Sequence, residues 1–181
     1  MIILIAGDTH TGKTLLAQKL METLKMPYLS IDHLKMGLIR SAQTKLTPIS
    51  DEGELTAYLW EILHEIIKTN LENQQNLIIE GCYIPFDFAN SFTEEQLKEI
   101  HYLCLIFSQN YMQKYGKDIF AYENAIENRG YPSDFSLEDM LAKNISNLEM
   151  CQKHDLNYLL IDEKYDVQSL VNQGLEMLHK K

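Results

Sequence analysis

Met1-Ile2-Ile3-Leu4-Ile5-Ala6 runs straight into Gly7-Asp8-Thr9-His10-Thr11-Gly12-Lys13-Thr14. A short apolar strand thus meets an octet of the form G-x-x-x-x-G-K-[ST], the spacing of the phosphate-binding P-loop. Each fixed position has a physical reason. Gly7 and Gly12 let the backbone turn its N–H groups inward, towards a chain of phosphates. The helix opening at Lys13 adds its positive N-terminal end. Lys13 is a compact cation able to reach β- and γ-phosphates, and Thr14 offers a hydroxyl to Mg²⁺. Asp8, Thr9, His10 and Thr11 complete the expected nucleotide-binding loop. Chance matches to this pattern in a chain of this length are on the order of one per cent. The strand before it and the helix after it are the context the mechanism requires.

The 181 residues suit one domain, 1–181, with a real core. Apolar residues make up 45% and charged residues 23%, an ordinary globular balance. No apolar run reaches the length of a membrane span. The N-terminus lacks a basic n-region, and cleavage there would remove the motif, so the expected setting is cytoplasmic, with no membrane partner. A formal net charge of −10 argues against a nucleic-acid partner, since a polyanion needs a basic face. The three cysteines, Cys82, Cys104 and Cys151, have no metal-ligand spacing and read as reduced thiols. Arginine is sparse: only Arg40 and Arg129 occur among sixteen Lys and Arg residues. A planar fork for phosphate has to come from one of those two.

Beyond the loop, Leu15, Leu16, Leu20 and Leu24 give residues 13–25 an apolar helical face, which Met26-Pro27 ends. Tyr28-Leu29-Ser30-Ile31 is a second strand and Asp32 stands at its C-terminal end, the edge that faces ligand in open α/β sheets. Asp32 has two readings: a helix N-cap, or a group that takes a proton from an acceptor hydroxyl or helps hold Mg²⁺ through water. In the short helix that follows, Lys35 and Arg40 are placed to offer positive charge to a bound anion. Residues 41–53 are polar and aperiodic, a candidate substrate-covering loop. A helix is expected over 54–73. Leu77-Ile78-Ile79 is a third strand, ended by Glu80-Gly81. An acid after an apolar strand, behind a P-loop, is a Walker B pattern in outline, suited to holding Mg²⁺ through water or orienting the nucleophile. Gly81 suggests a close approach of backbone or ligand. Tyr83, in the loop Cys82–Phe86, is a candidate wall of an acceptor pocket.

His101–Phe107 is the fourth strand. Residues 108–135 read as a candidate lid: a helical stretch interrupted near Gly116 and stopped by Gly130 and Pro132 just after Arg129. Arg129 is placed to close over the transferring phosphate. Ser136-Leu-Glu-Asp139 is a capping box with Asp in the acidic position, opening a helix to about residue 153 that carries Lys143, a further phosphate candidate. Tyr158–Ile161 is the fifth strand, and a last helix covers about 166–178. Five short, near-continuous apolar strands alternating with helices give an α/β protein with a parallel sheet covered on both faces.

The P-loop at the N-terminus, Asp32 after strand two, Arg40 in the next helix, Glu80-Gly81 after strand three and Arg129 in a late helical segment together resemble the small P-loop kinases. These include the nucleoside monophosphate kinases, shikimate and gluconate kinases, chloramphenicol phosphotransferase and the zeta toxins. The layout also resembles bacterial proteins described as adenylate-kinase-like or 2-phosphoglycerate-kinase-like. The resemblance implies a three-layer P-loop fold with sheet order 2-3-1-4-5 and a helical lid. It implies ATP and Mg²⁺ as cofactors and a small-molecule acceptor, as monomer or homodimer. By that resemblance Lys13, Asp32 and Arg129 act in catalysis, Asp32, Arg40, Gly81 and Tyr83 meet the acceptor, and Thr14 and Glu80 serve the metal. The loop departs from adenylate kinases at His10, where those usually carry another glycine. With two arginines in the chain, an acceptor with one phosphate or none fits best. A different class of output, a nucleotide-binding switch or regulatory ATPase, shares the loop. The chain lacks the N-K-x-D and L-S-G-G-Q motifs of two such groups.

Overall fold

β1, Ile2–Gly7, is fully buried along its length and forms the centre of a five-stranded sheet. A computed structural model of the chain describes residues 1–121 and 136–179. The strands β2 (Tyr28–Ser30), β3 (Leu77–Glu80), β4 (Ile100–Phe107) and β5 (Tyr158–Ile161) join β1 in the order β2-β3-β1-β4-β5. Every pairing is parallel. The chain leaves β1 towards β2 and later crosses to β4 on the other side. The order therefore reverses beside β1, and the crevice at such a reversal is where ligands bind in open α/β sheets. The P-loop lies there.

The helices are α1 (Lys13–Leu24), α2 (Ile31–Arg40), α3 (Glu52–Glu72), α4 (Glu94–Leu97), α5 (Gln109–Ala121), α6 (Leu137–Lys153) and α7 (Val167–His179). The period of two along the strands sorts the core into two layers. Ile2, Leu4 and Ala6 of β1 join Tyr102, Cys104 and Ile106 of β4 against α3 and Cys151 of α6. Ile3 and Ile5 join Leu103, Leu105 and Phe107 against α1, α5 and α7. Strands buried on both faces need apolar side chains at successive positions, which is why they read as continuous runs.

Several expected boundaries move. β2 ends at Ser30 and α2 begins at Ile31, so Asp32 lies in the first helical turn and not at a strand end. The N-cap of α2 is Ser30, so Asp32 is no cap. α3 starts at Glu52, because the Asp51 carboxylate caps it by accepting the Glu54 amide at 3.1 Å; the polar loop is shorter than 41–53 by those two residues. α5 runs unbroken through Gly116. The glycine serves packing there: a Cβ would meet Leu137 Cδ1 at 2.5 Å. A 3-10 turn at Phe88–Ser91 and the short α4 precede β4, where no element was expected. The capping box at Ser136 forms as read, with Ser136 Oγ accepting the Asp139 amide at 3.0 Å. Among the described residues no helix is long and apolar enough to cross a membrane.

Candidate active site

The loop between β1 and α1 has the backbone its glycines call for. Gly7 takes φ +138° and Gly12 φ +86°. A Cβ on Gly7 would stand 2.5 Å from the Leu105 carbonyl oxygen, and one on Gly12 would stand 1.8 Å from the Tyr165 hydroxyl. His10 also adopts a positive φ, 63°. That region costs a residue with a Cβ roughly 1–2 kcal/mol. The turn thus keeps a glycine-like backbone at the point where the sequence leaves the adenylate kinase pattern.

The Asp8 carbonyl gathers the loop. It accepts hydrogen bonds from Thr11 Oγ1 at 2.8 Å and from Lys13 Nζ at 2.6 Å. Lys13 is only 7% exposed. Burial disfavours its ammonium, but the acidic groups around it, Cys82, Glu80, Asp8 and Asp32, more than offset this and raise its pKa. Burial pushes the Cys82 thiol itself up. A phosphate chain would offer Lys13 a charged acceptor in place of a carbonyl.

Strand parity explains how Glu80 reaches the loop. Glu80 follows Ile78 by two residues, and Ile78 belongs to the layer under α1. The Glu80 carboxylate, 3% exposed, therefore points to the first turn of α1, where Thr14 Oγ1 donates to its Oε2 at 3.3 Å. Gly81 leaves room for the next element: a Cβ would meet Ile31 Cβ at 2.7 Å. Among the described residues no three His, Cys, Asp or Glu side chains form a metal cage. A hydroxyl beside a carboxylate suits Mg²⁺, which takes one or two protein groups and fills its shell with phosphate oxygens and waters.

The surroundings of Asp8 perturb its carboxyl strongly. Burial raises its pKa to about 6, against the Thr9 amide that donates to Oδ1 at 2.8 Å and the charges of Lys13 and Lys143. Its other oxygen accepts from Asn144 Nδ2 at 3.4 Å. Asn144, fully buried on α6, also accepts the Phe107 amide at 2.8 Å and donates to the Met140 carbonyl at 2.8 Å. One side chain thereby ties the end of β4, α6 and the P-loop together.

On the other side of the loop, Lys35 Nζ donates to Asp32 Oδ1 at 2.6 Å and to the Tyr83 hydroxyl at 2.9 Å. The ammonium also lies 4.7 Å from the Tyr83 ring centroid. Lys35, which the sequence placed to offer positive charge to a bound anion, is paired here with Asp32. Arg40 is exposed in the last turn of α2 and has no hydrogen-bond or ion-pair partner among the described residues. Arg129 lies outside the described residues, as does most of the later part of the candidate lid.

A cleft of about 520 Å³ opens between the start of α3, the segment after β3 and α6, bordered by Glu52, Thr56, Trp60, Asp87, Asn90 and Lys143. Lys143 closes on Glu52, donating to both carboxylate oxygens at 2.7 Å. Tyr83 does not border it; Pro85 does. The roles of Lys35 and Asn144, the cover over Gly12 by Tyr165 and the Lys143–Glu52 pair were not legible in the sequence. Each joins residues far apart in the chain with no motif between them, apart from Lys35–Asp32, an i, i+3 pair on a recognisable helix.

No family model matches the chain, and no curated protein sequence matches it. Solved structures do. A sugar kinase from Janibacter sp. HTCC2649 superposes with a TM-score of 0.64 at 15% identity, over 98% of this chain and 93% of that one. A gluconokinase from Sinorhizobium meliloti 1021 gives 0.56 at 14% identity, over 97% and 90%. A shikimate kinase from Aquifex aeolicus gives 0.54 at 17% identity, over 98% and 96%. In its all-parallel sheet of order 2-3-1-4-5, with helices on both faces and the phosphate loop at the end of its central strand, the chain has the α/β fold of the P-loop kinases.

Proposed function

We propose that this protein is a Mg²⁺-dependent, ATP-using kinase that phosphorylates a hydroxyl group of a small molecule. The observation that carries the reading is the Thr14–Glu80 contact beside Lys13, which joins a hydroxyl, a carboxylate and an ammonium at the mouth of the loop. In this reading the loop N–H groups and Lys13 hold the phosphates, and Thr14 and Glu80 hold the metal, directly or through water. Bound there, Mg²⁺ would supply neutralisation of the phosphate charge. Asp32, held by Lys35, receives the proton of the acceptor hydroxyl as its oxygen bonds to the γ-phosphorus and the bond from that phosphorus to the leaving ADP oxygen breaks. Lys13 follows the transferring phosphoryl group, so catalysis is mostly positioning and electrostatics. Arg40 and Arg129 keep sequence-based assignments to the acceptor and the transferring phosphate. The three structural neighbours, a sugar kinase, a gluconokinase and a shikimate kinase, support the same class.

The test is a metabolite-library screen for ATP consumption with mass spectrometry of the product. A phosphorylated small molecule formed by the wild type and not by Lys13→Met supports the proposal. Nucleotide binding that alters a partner's binding, with no phosphate transferred to any metabolite, overturns it.

A further inference from the structure

The cleft beside Lys143 has a charge pattern that selects among ligands. Its volume, about 520 Å³, is within the range of small-molecule sites. It opens near the loop, since Asn144, next to Lys143 on α6, donates to the Asp8 carboxylate at 3.4 Å. Two carboxylates border it, Glu52 and Asp87, against one ammonium, Lys143. That ammonium is occupied by both oxygens of Glu52. The Asp87 carboxylate is exposed and has no hydrogen-bond or ion-pair partner among the described residues. Besides Trp60, the remaining polar side chains on the border, Thr56, Asn90 and Ser91, are neutral and suit hydroxyls. Trp60 borders the cleft with its indole fixed, as Nε1 donates to Ser91 Oγ at 2.9 Å and the ring packs edge-on against Phe92. An aromatic wall beside carboxylates favours a cation.

A phosphate or carboxylate on the ligand would have to take Lys143 from Glu52 and would still face Asp87. An ammonium meets Asp87 with nothing to displace. We infer that this cleft binds a hydroxylated amine, of the amino-sugar or amino-alcohol class, with its ammonium on Asp87 and its hydroxyls on Thr56 and Asn90. The inference assigns a ligand class to this cleft, which Lys13, Asp32, Glu80 and Tyr83 do not border, and it stands apart from the kinase reading.

The test is calorimetry without ATP, together with the fluorescence of Trp60, the sole tryptophan of the chain. Four probes share one pyranose ring and differ in charge: glucosamine, glucose, glucuronate and glucose 6-phosphate. Glucosamine is expected to bind about threefold to fivefold tighter than glucose, the effect of one exposed ion pair. The two anions are expected to bind more weakly than glucose. Asp87→Asn should abolish the preference for the amine. Glu95→Gln, which removes the same charge from the exposed Glu95–Lys98 pair on α4, should leave it intact. The inference is overturned if either anion matches glucosamine, if the preference survives Asp87→Asn, or if no probe binds saturably. Amine binding without phosphoryl transfer to the bound amine would leave the cleft's ligand class standing and would separate the cleft from the acceptor site of the proposed kinase.

Discussion

Thr14 and Glu80, sixty-six residues apart, share a 3.3 Å hydrogen bond at the mouth of the P-loop. The contact exists because Glu80 lies on the α1 face of β3 and Thr14 in the first turn of α1. If the pair serves one Mg²⁺, Thr14→Ala and Glu80→Gln each lower kcat by about 10²-fold or more, and both raise the Mg²⁺ concentration needed for half-maximal rate. The double variant loses much less than the product of the two. A double-mutant cycle in which the losses multiply would separate the two residues functionally.

Asp8 sets a pH dependence of stability. Its pKa in the fold is raised from 3.8 to about 6, so the fold favours the neutral carboxyl. The stabilisation is fully present below about 3.8 and is lost as the pH rises through about 6. At neutral pH the ionised carboxylate opposes folding. Asp8→Asn keeps an oxygen for the Thr9 amide and is expected to stabilise the protein at pH 7.5 by up to about 3 kcal/mol. The gain should shrink towards zero near pH 4. Thermal unfolding at the two pH values reads this directly, and an advantage of equal size at both would refute it.

Gly12 is fixed twice, by its φ of +86° and by the Tyr165 hydroxyl over it. Gly12→Ala should destabilise the protein by about 2 kcal/mol or more. Adding Tyr165→Ala removes the collision and leaves the backbone cost. Relative to Tyr165→Ala alone, the glycine substitution should then cost only about 1 kcal/mol. Equal costs in the two backgrounds, measured by denaturant unfolding, would show that Tyr165 is not the obstacle.

Asn144 satisfies the Phe107 amide inside the protein. Asn144→Ala leaves that buried donor unpaired, at a cost of about 1–3 kcal/mol. Asn144→Asp preserves the acceptor but sets a second carboxyl beside Asp8 and should destabilise more at pH 7.5 than at pH 4. Chemical denaturation at both pH values checks the ordering.

Lys35 is the partner of both Asp32 and Tyr83. Lys35→Met should cost about 1 kcal/mol of stability and lower kcat while the KM for ATP stays within about twofold, since the loop itself is untouched. A loss confined to the KM for ATP would assign Lys35 to the nucleotide instead.

The fold was legible to a large extent. Apolar runs at Ile2–Ala6 and His101–Phe107 announced strands buried on both faces, and the two are neighbours in the sheet. Helix boundaries were less so. Asp32 read as a strand end because no glycine or proline separates β2 from α2, and the chain turns straight from one into the other. Gly116 read as an interruption because glycine weakens helices; contact with Leu137, twenty-one residues on, overrides that propensity.

For the site, the sequence by itself determined the phosphate loop. Glycine spacing, a lysine and a hydroxyl residue between a strand and a helix are local chemistry, written within eight residues. It also put Asp32 and Glu80 near the sheet edge, because strand ends carry that information. Only the tertiary structure decided what these groups face. The register of β3 beside β1 brings Glu80 to Thr14, the turn into α2 brings Asp32 under Lys35 and Tyr83, and the packing of α6 carries Asn144 to Asp8 and Lys143 to Glu52. Such pairings arise from elements settling against a shared core, so a local pattern records the elements and not the partners they meet.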